Sequence, residues 1–174
     1  PAAEGLFAGA IAQSSPATSV YDRERAGRVA LAFLDRLGIA PSEFHRLVDI
    51  PMGAILAASQ RVFDEVPVRN PVTLAFVPIV DGDVLSDYPV KLAQDGRSFP
   101  VPLIIGTNAR EGSLFRGRID IIPKSPARIQ ALFQRAPASA RAQLHAAYPR
   151  LPSPRDAADF GGDYAFWYPS IEVA

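Results

Sequence analysis

The hydrophobic and polar positions of the first fifty residues predict a strand, a long helix and the start of two shorter helices. Residues 10–12 form a short apolar run that stops at a polar turn, as a buried strand does. Over residues 22–37 the apolar side chains recur at spacings of three and four, and Gly38 follows where a helix C-cap belongs. Pro41 and Pro51 each stand where a proline opens a further short helix.

The middle of the chain predicts strand, helix and strand in succession. Residues 72–82 read "VTLAFVPIVDG", a strand-like run that ends in an Asp-Gly turn. Residues 89–95 form one short helix that Gly96 closes. Residues 101–106 read "VPLIIG", a continuous apolar run of the kind found in parallel strands that are covered on both faces. This alternation favours an α/β fold.

From Ser125 onward the pattern is helical and is interrupted by prolines. Helices are expected over residues 125–134 and 137–148, followed by a connection rich in Pro, Ser and Gly and by a last helix that starts near residue 163. Trp167 lies in that last helix and is expected in the core. The chain shows no internal repeat and no interdomain linker, so residues 1–174 are treated as part of one domain.

Composition and charge exclude several classes of partner and chemistry. The 174 residues carry 18 basic and 18 acidic side chains, so net charge gives no reason to expect nucleic acid or an acidic membrane surface as a partner. The chain has no cysteine, which excludes disulfides and a cysteine nucleophile and favours a reducing compartment. No apolar run approaches the roughly 20 residues that cross a bilayer.

Glu111 is the clearest candidate for chemistry. It follows the predicted strand 101–106 after a short turn, and reactive groups of open parallel sheets collect at the carboxyl ends of strands. Gly112 permits a close backbone approach beside the acid. A carboxylate in this place can orient a histidine and stabilise its imidazolium, the role of the acid in a catalytic triad. Position alone leaves open the alternative of a solvent-facing loop glutamate.

Four segments carry a resemblance to a known family. They are "PAAEGLFAGAIAQSS", "FVPIVDGDVLSDYP", "VPLIIGTNAREGSLF" and "DYAFWYPS", and in this order they sample most of the chain. Together they resemble the type B carboxylesterases, the cholinesterase-like branch of the α/β-hydrolases. The resemblance implies a mostly parallel central sheet flanked by helices. It also implies a serine esterase that acts on a small-molecule ester with water and without an organic cofactor.

The resemblance also implies roles for particular residues. Glu111 matches the triad acid, and Ser14 matches a serine that donates a hydrogen bond to that acid and holds it ionised. Leu114 and Phe115 match the wall of the substrate gorge. Val72 and Leu74 match the wall of the acyl pocket; both are aliphatic, so the implied acyl group is longer than acetyl. For these other residues the alternative is an ordinary structural role, closing a strand or packing under a loop.

The nucleophile and the base are not found in this sequence. No Gly-x-Ser-x-Gly motif and no HGGG-like loop occur, and Ser14 and Ser15 lack the flanking glycines of a nucleophile elbow. His145 follows the acid but is predicted in mid-helix, and His45 precedes it. We therefore expect the chain to be a middle-to-late part of one α/β-hydrolase catalytic domain, cut at both ends, that by itself is inactive.

No metal site is expected. The two histidines are not paired at a metal-binding spacing, and the Asp-Gly-Asp stretch 81–83 lacks the further oxygens of a calcium loop. Two other functions stay open at this point. One is a non-catalytic binding or adhesion domain with the cholinesterase-like scaffold, and the other is an interaction domain that stands alone.

Overall fold

Two parallel strands form the sheet of the described chain. The computed structural model describes residues 3–69, 74–115 and 122–174. Strand β1 spans Ala10–Gln13 and strand β2 spans Leu103–Gly106; they pair in parallel, with Ala10 opposite Leu103 and Gln13 opposite Gly106. Both strands and their parallel direction confirm the predictions from the apolar runs.

The faces of this sheet are open. Ile11 in β1 is 69% exposed and Ile104 in β2 is 67% exposed. The prediction that the second apolar run is covered on both faces is therefore wrong for the described chain. The described helices pack mainly against one another and against the turn that follows β2, which leaves these apolar side chains uncovered.

The strand predicted over residues 72–82 is not formed in its described part. Between residues 74 and 82 the structure has one isolated parallel bridge, from Ile79 to Tyr21. Pro78 has no N–H to donate to a ladder. The partner segment also ends at once, because Asp22 caps the next helix. Residues 72 and 73 lie outside the described residues.

Helices make up most of the remaining described chain. They are α1 (Arg23–Leu37), α2 (Met52–Arg69), α3 (Pro89–Gln94), α4 (Pro126–Arg135), α5 (Ala138–Ala147), α6 (Pro154–Gly162) and α7 (Tyr168–Val173), with 3₁₀ helices over Pro41–Asp49 and Glu111–Phe115 and a π-helical turn over Asp163–Trp167. None of the helices in the described ranges is long and apolar enough to span a membrane.

Helix α1 has the ends that its sequence predicts. The Asp22 carboxylate accepts a hydrogen bond from the backbone N–H of Arg25 (2.6 Å), which satisfies one of the free donors of the first turn. Gly38 ends the helix with φ of 65°, a left-handed conformation that glycine adopts without steric cost.

Helix α2 is longer than the short helix predicted after Pro51. It has 18 residues, and Ala58, Val62 and Val66 are buried along one face at spacings of four. Val62 and Val66 pack with Val29 of α1, so tertiary burial extends the helix beyond what the proline signal indicates.

Helix α6 lies where the sequence predicts a connection, so that prediction is wrong. Ser153 caps its start by accepting a hydrogen bond from the N–H of Asp156 (3.2 Å), and Pro154 occupies the first turn. Ala157 and Phe160 bury themselves in a cluster with residues of α4. The stability gained by burying this face outweighs the low helix propensity of the two glycines that end the helix.

Three side chains singled out from the sequence lie away from the sheet end. Trp167 is 51% exposed in the described chain, so its predicted place in the core is wrong. His145 lies in α5 as predicted and meets the ring of Phe133 edge-on, with centroids 5.0 Å apart. His45 is exposed on the 3₁₀ helix Pro41–Asp49.

Candidate active site

Glu111 begins a 3₁₀ turn shortly after β2. This turn, Glu111–Phe115, is called the acid turn below. The chain leaves β2 at Gly106 and reaches Glu111 five residues later, beside the carboxyl end of β1. The Glu111 side chain is buried, and the whole residue is 6% exposed. A buried carboxylate in a loop needs polar partners, because an unpaired charge away from water is costly.

One oxygen of Glu111 receives all the hydrogen bonds that the described residues donate to this side chain. The Ser14 hydroxyl donates to Oε1 (2.5 Å), the backbone N–H of Asn108 donates to it (2.6 Å), and so does the Asn108 side-chain amide (3.2 Å). The same amide reaches the Ser14 oxygen at 3.3 Å. Oε2 accepts no hydrogen bond from any residue that the structure describes. The carboxylate is thus held by one oxygen and presents the other.

These contacts decide the charge of Glu111. Burial raises the pKa of Glu111, because it disfavours the charged form. The hydrogen bonds from Ser14 and Asn108 lower the pKa and outweigh burial, so the pKa of Glu111 lies below its usual value. The acid is therefore a carboxylate at neutral pH.

Ser14 reaches the acid through an unusual backbone conformation. Its φ is 53°, and it is the one non-glycine residue with positive φ in the described chain. Its N–H donates to the Gly106 carbonyl (2.9 Å), which continues the pairing of β1 and β2 by one residue. A left-handed serine costs roughly 1–2 kcal/mol, and such conformations persist at sites where the surrounding structure demands them.

Helix α6 supports the acid turn by backbone contact. A methyl group added at Gly112 would lie 1.7 Å from the carbonyl oxygen of Ala158, and one added at Gly162 would lie 2.4 Å from the nitrogen of Gly112. Both distances are far below a normal contact, so any side chain at Gly112 or Gly162 would separate the turn from the helix. The two glycines therefore set the short distance between α6 and the acid turn, which carries Glu111.

An ion pair adds a second tie between the acid turn and α6. The Arg110 guanidinium donates from Nε to the Asp159 carboxylate at 2.9 Å. The Oδ2 atom of Asp159 also lies 3.8 Å from Nε of Arg155, a residue of the same helix. Because Arg110 directly precedes Glu111, this pair restrains the chain at the acid itself.

The other predicted site residues are only partly brought together. Leu114 is 69% exposed on the acid turn, and Phe115 is half-buried at its end. Leu74 contacts the start of the α1 region, where its carbonyl accepts a hydrogen bond from the Tyr21 hydroxyl. Val72 lies outside the described residues. The acyl-pocket role of Val72 and Leu74 stays a prediction.

In the described ranges, no cluster of three or more His, Cys, Asp or Glu side chains is arranged to hold a metal ion. The polar groups around Glu111 are a hydroxyl, an amide and a backbone N–H, all of which act as donors to it. This arrangement suits an anion that must stay ionised and in place.

Comparison with known families identifies the chain. The carboxylesterase family matches residues 1–153. The chain belongs to the carboxylesterase family. This confirms the resemblance that the motifs around Ser14 and Glu111 carry.

Two curated relatives of this carboxylesterase chain are themselves esterases. The para-nitrobenzyl esterase of Bacillus subtilis (strain 168) is 34% identical over 117 residues, which cover 66% of this chain and 23% of that protein. The juvenile hormone esterase of Heliothis virescens is 30% identical over 139 residues, which cover 71% of this chain and 24% of that protein. The matched part of the chain therefore spans about a quarter of the length of each relative.

Solved esterase structures agree over the whole chain. A PNB esterase matches 100% of it with a TM-score of 0.78 and 31% identity, and the match covers 36% of that protein. A carboxylesterase of Geobacillus stearothermophilus matches 99% of it with a TM-score of 0.72 and 25% identity, and the match covers 36% of that protein. These neighbours confirm the predicted fold class, part of an α/β-hydrolase.

Some contacts of the acid were missed in the sequence. Asn108 stands three residues before Glu111, and this short spacing is a local signal that was available. Arg110 and Asp159 are 49 residues apart. Gly162 is likewise distant along the chain from its contact Gly112, so no local pattern indicates either contact. They become visible only when α6 is packed on the acid turn.

The Ser14 hydroxyl offers a pH-dependent test. Since the pKa of Glu111 is depressed in the folded state, its contribution to the free energy of unfolding is present above the unfolded pKa, about 4.3. It is lost as pH falls through the folded value. Ser14→Gly keeps the positive φ and removes the donor. The lost hydrogen bond to the carboxylate should cost about 2 kcal/mol at neutral pH, while glycine relieves about 1–2 kcal/mol of backbone strain. We therefore expect a net cost of at most about 1 kcal/mol at neutral pH, which becomes smaller or turns into a gain in stability as pH falls.

Urea unfolding at pH 7 and at acid pH measures this difference. Ser113→Ala is the matched control, because the Ser113 hydroxyl lies in the acid turn with Glu111 but donates to the Arg110 carbonyl (2.8 Å). Its cost should not depend on pH. An equal cost of Ser14→Gly at both pH values would show that Ser14 does not hold Glu111 ionised.

Proposed function

We propose that this chain supplies the acid of a Ser/Glu/His triad in a carboxylic ester hydrolase. The observation that carries the proposal is the pattern of hydrogen bonds on Glu111. Ser14 and Asn108 donate hydrogen bonds to Oε1 alone, while Oε2 accepts no hydrogen bond from the described residues. Oε2 is the oxygen with which Glu111 would accept the N–H of a histidine.

The proposed reaction is acyl transfer to serine and then to water. The histidine takes the serine proton, and backbone N–H donors stabilise the oxyanion. Glu111 holds the imidazole in its working tautomer and stabilises the imidazolium that forms. The part of this chain is to keep Glu111 charged and in place, through Ser14, Asn108 and the packing on α6. The proposal requires no organic cofactor.

We propose that the chain works as part of a longer polypeptide that provides the serine and the histidine. Two observations support this. Relatives and solved neighbours are about three to four times longer than the matched part. The sheet also exposes Ile11 and Ile104, apolar side chains that further chain would cover. That remainder is the partner we expect for these faces.

The proposed substrates are small-molecule carboxylic esters. One relative is named a para-nitrobenzyl esterase and another a juvenile hormone esterase, which supports this class. The aliphatic residues Val72 and Leu74 favour acyl groups longer than acetyl, if they line the acyl pocket as the family resemblance implies.

We expect the isolated chain to hydrolyse no simple ester, because the acid takes no direct part in bond making. Hydrolysis of a p-nitrophenyl ester by the purified chain, against a heat-inactivated sample, measures this. The longer polypeptide should react with a fluorophosphonate probe for activated serines, and the isolated chain should not. Turnover by the isolated chain that disappears in Ser14→Ala or His145→Ala would refute the assignment of the missing groups.

A further inference from the structure

A small cavity opens between helices α1 and α2. Its volume is about 230 Å³, and side chains of both helices line it. The lining residues include neither Ser14 nor Asn108, the two residues that donate hydrogen bonds to Glu111. The cavity is therefore built from a different part of the fold than the acid turn.

The floor of the cavity is apolar. Val62 is 1% exposed and Val66 is 8% exposed, and Val29 packs against them from α1. Tyr21 is buried at the same place, and its hydroxyl is already used, because it donates to the carbonyl of Leu74. The floor thus presents aliphatic groups and the carbon face of one ring.

The rim of the cavity carries an excess of positive charge. Three arginines line it, Arg25, Arg28 and Arg69, with one carboxylate, Glu65. Glu65 accepts a hydrogen bond from Arg36 at 2.6 Å and one from Arg69 at 3.3 Å. Because Glu65 is shared between these two guanidinium groups, it does not neutralise Arg25 and Arg28.

Arg25 and Arg28 are available to an anion. The Arg25 guanidinium lies 5.1 Å from the centroid of the Tyr21 ring, and no carboxylate of the described residues is in ion-pair contact with it. Asp22 accepts the backbone N–H of Arg25, at 2.6 Å. Arg28 pairs with Glu24 at 2.5 Å, but the two side chains are 59% and 85% exposed. An ion pair in water contributes little, so a ligand can replace Glu24 at small cost.

This combination is complementary to one chemical class of ligand. An apolar floor with a few charged groups at its edge binds a molecule that has an apolar tail and a charged head. A guanidinium binds a carboxylate through two parallel hydrogen bonds. At about 30 Å³ for a water-sized group, the cavity holds roughly seven or eight non-hydrogen atoms, as in hexanoate.

We propose that the cavity between α1 and α2 binds a short aliphatic carboxylate, with its head on Arg25 and Arg28 and its tail on Val62 and Val66. The proposal does not depend on the triad role of Glu111. It assigns a ligand site to a part of the chain to which the proposed esterase mechanism gives no task.

Calorimetric titration of sodium hexanoate into the longer polypeptide at pH 7 tests the proposal. Prior treatment with a fluorophosphonate keeps the ligand out of the proposed catalytic serine site. We expect saturable binding that is roughly tenfold or more tighter than that of acetate, because the longer tail buries additional methylene groups. Inorganic phosphate and hexanol, which lack the tail and the charge respectively, should each bind roughly tenfold more weakly than hexanoate.

Two variants locate the binding. Arg25→Gln should weaken hexanoate binding by roughly tenfold or more, since it removes a charged hydrogen-bond donor. Arg46→Gln is its matched control, because Arg46 is an arginine outside the cavity that pairs with Glu43 at 3.3 Å. Ala32→Leu keeps the arginines and fills the cavity, so it should abolish binding.

Ala57→Leu is the matched control for the filling variant, because Ala57 is exposed on α2 and does not line the cavity. Hexanoate binding that is unchanged in Arg25→Gln or in Ala32→Leu would overturn the proposal. So would phosphate binding as tight as that of hexanoate, or the lack of saturable hexanoate binding. Each of these results leaves the triad role of Glu111 intact, since Glu111→Gln tests that role separately.

Discussion

Glu111→Gln in the longer polypeptide is expected to lower kcat by about 10⁴-fold, the loss known for an acid-to-amide change in a serine protease triad. The structure explains why the amide fails. Ser14 and Asn108 present donors to one oxygen, so a glutamine must place its carbonyl there and its NH₂ at the Oε2 position. A donor at that position favours the wrong histidine tautomer, and a neutral amide does not stabilise the imidazolium.

Glu24→Gln is the matched control for this variant. Glu24 is an exposed glutamate of α1 that pairs with Arg28, so its amide should leave kcat and the melting temperature nearly unchanged. The glutamine at position 111 satisfies the same donors, and the fold should persist by circular dichroism. Near-normal turnover in Glu111→Gln would mean that another group is the acid.

The features predicted correctly from sequence depend on local signals. Asp22 and Gly38 bracket α1, and both caps act within a few residues of the helix end. The apolar runs that become β1 and β2 are likewise visible without knowledge of the fold. The place of Glu111 follows from the strand that precedes it.

The failures depend on contacts between distant parts of the chain. Gly161 and Gly162 indicate a connection, because glycine destabilises helix interiors, yet α6 requires them where Ile122 and Gly112 approach. Trp167 suggests core by composition, but it lies exposed on a turn whose geometry Pro169 influences. Local pattern carries neither the close approach of two backbones nor the direction of a side chain after a π turn.

Gly112→Ala is expected to damage both stability and catalysis. Its new methyl group would lie 1.7 Å from the carbonyl oxygen of Ala158, and a backbone atom cannot move aside as a flexible side chain does. Relief requires the acid turn to move off α6, at a cost of about 3 kcal/mol or more. Glu111 is the adjacent residue, so its carboxylate moves with the turn. A displacement of about 1 Å costs on the order of 100-fold in rate.

Thermal unfolding and kcat per titrated active site separate the two effects of Gly112→Ala. Gly27→Ala is the matched control, because Gly27 lies inside α1 with no atom within 4 Å of the added methyl. Alanine there should stabilise the protein by about 0.5–1 kcal/mol, since it is the better helix former. Gly162→Ala, whose methyl would press on the nitrogen of Gly112 from the other side, should resemble Gly112→Ala. If Gly112→Ala instead melts and turns over like wild type, then close packing on α6 does not position the acid.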